Sequence, residues 1–170
     1  QGDSEVLRLF LDSKNIQQFT QVQKYTTDKN LLNLLKYTSC KNESPRFYIE
    51  KLCNDVVQSK KTDPQKVLHS DTFHPTMKAW IFIDDVTDEN SPFTYVPESN
   101  HLSFKRLKWE YLRSIKARNI NDGYSEKGSF RVGEQDIKTL SLNPPKKFIV
   151  KANSLVIANT RGFHCRGLNT

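Results

Sequence analysis

The sequence predicts an α+β fold that is mainly β, with antiparallel strands closing into a jelly roll behind N-terminal helices and around one inserted helix. Three observations predict it. Strand-like runs dominate the chain from residue 45 onward. Helical spacing of apolar residues is confined to the front and to residues 103–118. The residues able to bind a metal sit on one early extended run, His69 and Asp71, and one late one, His164. A jelly roll brings such distant strands together at one open end.

Taken in order, Val6, Leu7, Leu9, Phe10, Leu11, Ile16, Phe19 and Val22 give patchy helical periodicity. Two short helices broken near Asp12-Ser13 are expected, with Ser13 capping the second. Asp28 should cap a helix through Leu31, Leu32, Leu34, Leu35 and Tyr37. Strand signals then take over at Arg46–Cys53, at Lys66–Asp71, and at the nearly all-apolar Met77–Ile83, which reads as buried on both faces. An acidic turn over residues 84–92 and a short strand at Phe93–Val96 complete a hairpin with that run. From Ser103, a good N-cap, Phe104, Leu107, Tyr111 and Ile115 share one helix face. Lys105, Arg106, Arg113 and Lys116 spread round the other side with Trp109 among them, either a solvated face or a surface for an anionic ligand. Residues 119–133 read as a glycine-containing loop with a short strand at Ser129–Val132, and residues 134–142 as a short helix. Lys147–Val150 and Ser154–Ala158 form a second expected hairpin.

A length of 170 residues suits one domain, a helical lead-in over 1–44 followed by a jelly-roll core over 45–170. No apolar run approaches the roughly 20 residues that cross a bilayer. The first residues lack the basic and apolar regions of a signal peptide. Three cysteines without CxxC spacing suggest neither a disulfide framework nor a zinc site, so a cytoplasmic location is expected. The net charge of +7 favours anionic small molecules as well as nucleic acid, but the basic residues are scattered, with no long run of like charges. Nucleic acid is therefore not the expected partner.

The chemistry concentrates in His69-Ser70-Asp71. In an extended chain residues two apart point the same way, so the imidazole and the carboxylate stand side by side. One more imidazole, from His164, completes a 2-His-1-carboxylate set that leaves open positions on non-haem Fe(II). The alternative is a plain hydrogen-bonded pair. Cys165 beside His164 faces the opposite way and is no nucleophile for it.

The run HSDTFHPTMKAWIFIDDVTDENSPFTYVPESN (residues 69–100) resembles the core of the phytanoyl-CoA dioxygenase family, a branch of the Fe(II)/2-oxoglutarate-dependent oxygenases. That family's pattern is H-x-D, a Trp-containing strand ending in a D-D-V-like turn, then E-N-G and V-P-G-S-H. VKANSLVIANTRGFH (residues 150–164) is similar to its distal-histidine strand, and the likeness covers residues 45–167. The resemblance implies a double-stranded β-helix (a cupin-like jelly roll), with Fe(2+) held by His69, Asp71 and His164. It implies 2-oxoglutarate as cosubstrate, with Trp80 walling its pocket and Asn54 as a contacting amide. The reaction implied is hydroxylation of a C–H bond in a small-molecule or acyl-type substrate by O2, with release of succinate and CO2; the net charge of +7 is compatible with an anionic one.

The sequence also departs from the family. Relatives carry an arginine about eleven residues after the distal histidine, whose fork grips the far carboxylate of 2-oxoglutarate; this sequence ends at Thr170, six residues after His164. Arg166 is the best replacement, on His164's face of an extended strand, and Arg161 a weaker one. Ser91 and Glu98 stand where glycine is usual, and Asn100 replaces a histidine, though His101 follows. A fragment, a trimmed product or a rearranged cosubstrate site would each account for these departures. His74 and the 119–133 loop are candidates for substrate contact, or a turn residue and a connector. Two other readings stay open: a metal-binding jelly roll of another class, isomerase-like or inactive, and a basic noncatalytic binding module.

Overall fold

The computed structural model describes residues 6–53 and 63–167. The chain divides into two compact units, Gln1–Lys61 and Thr62–Thr170.

In the first unit, β1 (Val6–Phe10) pairs antiparallel with β2 (Tyr48–Leu52), from Val6 opposite Leu52 to Phe10 opposite Tyr48. The sequence expected helix where β1 stands. A five-residue apolar run satisfies either period, and pairing with a distant strand decides it. A 3-10 turn at Ile16–Gln18 leads into α1 (Thr20–Thr27), which Phe19 precedes in place of the expected Ser13 cap. α2 (Lys29–Ser39) begins as expected, with Asp28 Oδ1 accepting the Leu31 N–H at 2.7 Å.

The second unit holds two small antiparallel sheets. β3 (Met77–Phe82) runs against β6 (Ser154–Asn159), with Trp80 opposite Val156. β4 (Phe93–Tyr95) lies between β5 (Lys146–Lys147) and β7 (His164–Arg166). Neither expected hairpin forms. β3 and β4 belong to different sheets, as do β5 and β6, so the intervening turns carry the chain from one sheet to the other. β3 is half-buried rather than buried on both faces.

The helices α3 (Phe104–Ile120) and α4 (Glu134–Thr139) pack with Phe130, Val132 and Phe163 around Val96, Trp109, Ala117, Ile137 and Leu140. Ser103 caps α3, its Oγ accepting the Arg106 N–H at 3.1 Å. The face that α3 buries is not the expected one. Phe104, Leu107, Tyr111 and Ile115 are 83, 48, 65 and 59% exposed, whereas Arg106, Trp109, Glu110 and Ala117 are buried. Trp109 is thus no stacking platform. Its indole N–H donates to Asp136 Oδ1 at 2.8 Å, and the Arg113 guanidinium binds the same carboxylate. Arg106 pairs with Glu110 at 2.8 Å and lies 4.1 Å over the Phe163 ring, so the charges cancel within one turn and can be buried. Among the described residues no helix is long and apolar enough to cross a membrane.

Candidate metal centre

His69 sits just past a 3-10 turn (Pro64–Lys66), not within a full strand, and makes single-residue bridges to neighbours on both sides. Its N–H donates to His164 O, and the His164 N–H returns the bond to His69 O, both at 2.9 Å. Directly opposed residues share a face, and the two imidazole rings lie 4.6 Å apart. Alternation then sorts the neighbours. Leu68 and Phe163 turn to the core, while His69 and His164, only 1 and 5% exposed, turn to the other face. The Asp71 N–H donates to Thr160 O at 3.0 Å, which holds its carboxylate beside the pair.

One ligand atom from each of His69, Asp71 and His164 lies within 4.8 Å of the other two. Asp71 Oδ1 is 3.8 Å from His69 Nε2 and 3.6 Å from His164 Nε2. Ligands on bonds of about 2.1 Å stand about 3.0 Å apart at right angles and about 3.6 Å at 120°, so the two carboxylate–imidazole distances are close to what one metal spans. Each ring is fixed from behind: His69 Nδ1 donates to Val67 O at 2.7 Å and His164 Nδ1 to Gly162 O at 2.9 Å. A backbone carbonyl on Nδ1 leaves the Nε2 lone pair free to bind a metal. His69 Nε2 is buried with no hydrogen-bond partner, the condition a metal would relieve.

The electrostatics agree with that role. Burial is the largest effect on His69 and pushes its imidazole down to about 4; His164 and Arg131 add to this, against the Val67 hydrogen bond and Asp71. The ring is therefore neutral at neutral pH, as a ligand must be. Burial alone would raise the Asp71 carboxyl, but His164 and Lys78 outweigh it and hold it well below the usual carboxylate range. Lys78 Nζ, from β3, lies 2.6 Å from Asp71 Oδ2, a charge contact without a hydrogen bond's alignment. One carboxylate oxygen thus faces the lysine and the other faces the imidazoles. The three residues fit a divalent metal and can hold one.

The remaining expected residues fall at different distances from this centre. The Trp80 ring stacks 4.7 Å from Phe93, which lies 5.8 Å from the His164 ring, so aromatic side chains of both sheets meet beside the ligands. Arg166 shares His164's strand but is ion-paired with Asp63. Arg161 donates to Asn100 O. His74 is exposed in a turn, its N–H donating to Thr72 Oγ1 at 3.1 Å. Asn54 lies outside the described residues. Cys165 faces away, with burial pushing its thiol up to about 11.

Sequence reasoning missed Lys78 and Arg131. Lys78 was readable as the one charge in an apolar strand. Arg131 was readable as a charge between two core residues, Phe130 and Val132. No family model matches the chain, and no curated protein or solved structure is significantly similar to it.

Proposed function

We propose that the chain is an Fe(II)- and 2-oxoglutarate-dependent dioxygenase resembling the phytanoyl-CoA dioxygenase family, built on a double-stranded β-helix. The observation that carries it is the convergence of His69, Asp71 and His164, with both imidazoles pinned through Nδ1 and both Nε2 atoms aimed at one carboxylate oxygen. A 2-His-1-carboxylate set suits non-haem Fe(II) and leaves neighbouring positions open. Two further features support the fold reading. His69 extends the order β5-β4-β7 by one more strand position, while β3–β6 supplies the second sheet, met through Trp80 and Phe93. Ser91 and Glu98, where the family usually has glycine, have φ of 55° and 63°, the left-handed region glycine favours.

Bound at this centre, iron with 2-oxoglutarate supplies the oxidising power by which O2 hydroxylates a C–H bond and yields succinate and CO2. The chain's part is positioning. Val67 and Gly162 carbonyls hold the imidazoles, Lys78 keeps Asp71 ionised and turned, and Phe93 and Trp80 shield one side from water.

The test is anaerobic addition of Fe(II) and 2-oxoglutarate, read as a weak visible charge-transfer band, followed by O2 and assay of succinate. The band and succinate release are expected in the natural chain and absent in His69→Ala and Asp71→Ala. A chain that binds Co(II) but gives neither band nor succinate is a metal protein of another class. One that binds no metal, and binds nucleic acid with a steep salt dependence, is a basic binding module.

A further inference from the structure

α3 buries Arg106, Trp109, Glu110 and Ala117 and leaves Phe104, Leu107, Tyr111 and Ile115 in solvent. At about 100° of turn per residue the exposed four fall within an arc of about 80°, opposite the buried side. Lys108 borders that arc, Lys105 and Lys116 lie beyond it on the same flank, and Arg118 stands past its C-terminal end. All four cations are exposed. The one carboxylate of the helix, Glu110, is turned inward to Arg106. Lys105 donates to Ser141 Oγ at 2.9 Å. Among the described residues no carboxylate forms an ion pair with any of the four cations. Ser114, on the other flank, spends its hydroxyl on Tyr111 O at 2.7 Å. Apolar and cationic groups therefore dominate the outer side of this helix.

The core does not account for that composition, since none of these side chains belongs to it. A single exposed apolar residue is ordinary, but four in one stripe mark a surface that meets something. Charge decides what. A second copy of this chain would set four cations against four with no carboxylate between them, and like charges across an interface are costly. A protein partner is a poorer match too: interface centres are depleted in lysine, and three of the four cations are lysines. An anionic bilayer needs only the two kinds of group present. Apolar side chains enter the boundary between headgroups and acyl chains, while long cationic ones lie along it and reach the headgroups. Tyr111, with an apolar ring and a polar tip, suits the same boundary.

We propose that the outer face of α3 is a docking surface for an anionic lipid bilayer. The helix lies flat on the membrane rather than crossing it. Phe104, Leu107, Tyr111 and Ile115 insert, and Lys105, Lys108, Lys116 and Arg118 sit among the headgroups. The proposal is independent of the metal centre, none of whose ligands lies on this helix.

The experiment is cosedimentation of the full chain with sucrose-loaded vesicles, of phosphatidylcholine alone or with phosphatidylserine at about 7:3. The natural chain should bind the mixed vesicles, bind pure phosphatidylcholine far less, and be released at about 1 M NaCl, where the Debye length falls to about 3 Å. Lys105→Ala, Lys108→Ala, Lys116→Ala and Arg118→Ala together should weaken partitioning by on the order of 100-fold or more, at about fivefold per cation. Phe104→Ser should weaken it about 10-fold or more and, at an exposed site, leave the urea midpoint unchanged. Alanine at Lys24, Lys29, Lys36 and Lys41, exposed cations of the first unit, changes the net charge equally and should leave binding within about fivefold. No binding to the mixed vesicles overturns the proposal. So does binding untouched by Phe104→Ser, or an equal loss in the control set, which is attraction by net charge alone. Self-association abolished by Phe104→Ser would instead assign the face to a second copy. A leucine–glutamate amphipathic peptide that binds where vesicles do not would assign it to an acidic protein partner.

Discussion

Adding one methyl group at Gly162 should damage the metal centre without touching a ligand. A Cβ built there falls 2.0 Å from Tyr95 Oη, 2.5 Å from Cζ and 2.9 Å from Cε2. Something must move. Tyr95 can retreat only by giving up the bond from its hydroxyl to Asn159 O, 3.0 Å long, worth about 1 kcal/mol, and by repacking its ring for a further ~1–3 kcal/mol. If the 162 backbone moves instead, it carries away the carbonyl that accepts His164 Nδ1–H, and loss of such an orienting partner typically costs about 10- to 100-fold in metal affinity. Gly162→Ala should therefore lower the urea midpoint by an amount equivalent to about 2–4 kcal/mol, or weaken Co(II) binding, or divide the strain between the two. Tyr95→Phe removes only the oxygen and leaves the contact with Cζ, so it should not rescue the variant. Tyr95→Ala clears the space and should restore Co(II) affinity in Gly162→Ala, though not stability. A Gly162→Ala chain that matches the natural one in both Co(II) titration and urea unfolding would refute the argument.

Three further outcomes are expected. In the metal-free chain, folded His69 resists protonation until about pH 4 while the unfolded chain takes up that proton near 6.5. The unfolded state thus binds more protons in this window, and stability falls as pH drops through it, by up to about 3 kcal/mol. Asp71, held below its usual range, extends the loss to lower pH. Urea midpoints across pH 4–7 check this, and His69→Gln should flatten the slope. Arg106→Met strands the buried Glu110 carboxylate and should cost about 3–5 kcal/mol. Adding Glu110→Leu should recover part of it, but not the bonds from Arg106 to the Ser99 and Arg161 carbonyls. Glu98→Gly relieves a left-handed residue that is exposed and should stabilise by up to about 1 kcal/mol in thermal unfolding, the relief set against glycine's extra freedom when unfolded.

The helical span of α3 was legible and its orientation was not. Apolar spacing locates the helix, but the choice of face by hydrophobicity selected Phe104, Leu107, Tyr111 and Ile115, which stay exposed. The buried face is set by partners remote in sequence: Asp136 for Trp109 and Arg113, and the Phe163 ring for Arg106. No local pattern contains that information. β1 went unread for the same reason, since β2, about forty residues on, supplies its ladder.

The convergence of the three candidate ligands was legible because the alternation that builds the core also displays the site. Leu68, Phe163, Phe130 and Val132 point to one side, so His69, His164 and Arg131 must point to the other. Reading only the ligand types finds the first two and passes over the arginine, because nothing in its own neighbourhood announces a partner. Asking instead which polar residues fall out of phase with buried ones finds all three, and Lys78 in its apolar strand as well. The phase of the hydrophobic pattern thus tells which side chains share a surface. The strand pairing, which only the fold supplies, tells which of those surfaces coincide. Here both are needed before a lysine and an arginine, unremarkable in the sequence, become the charges that border the candidate metal centre.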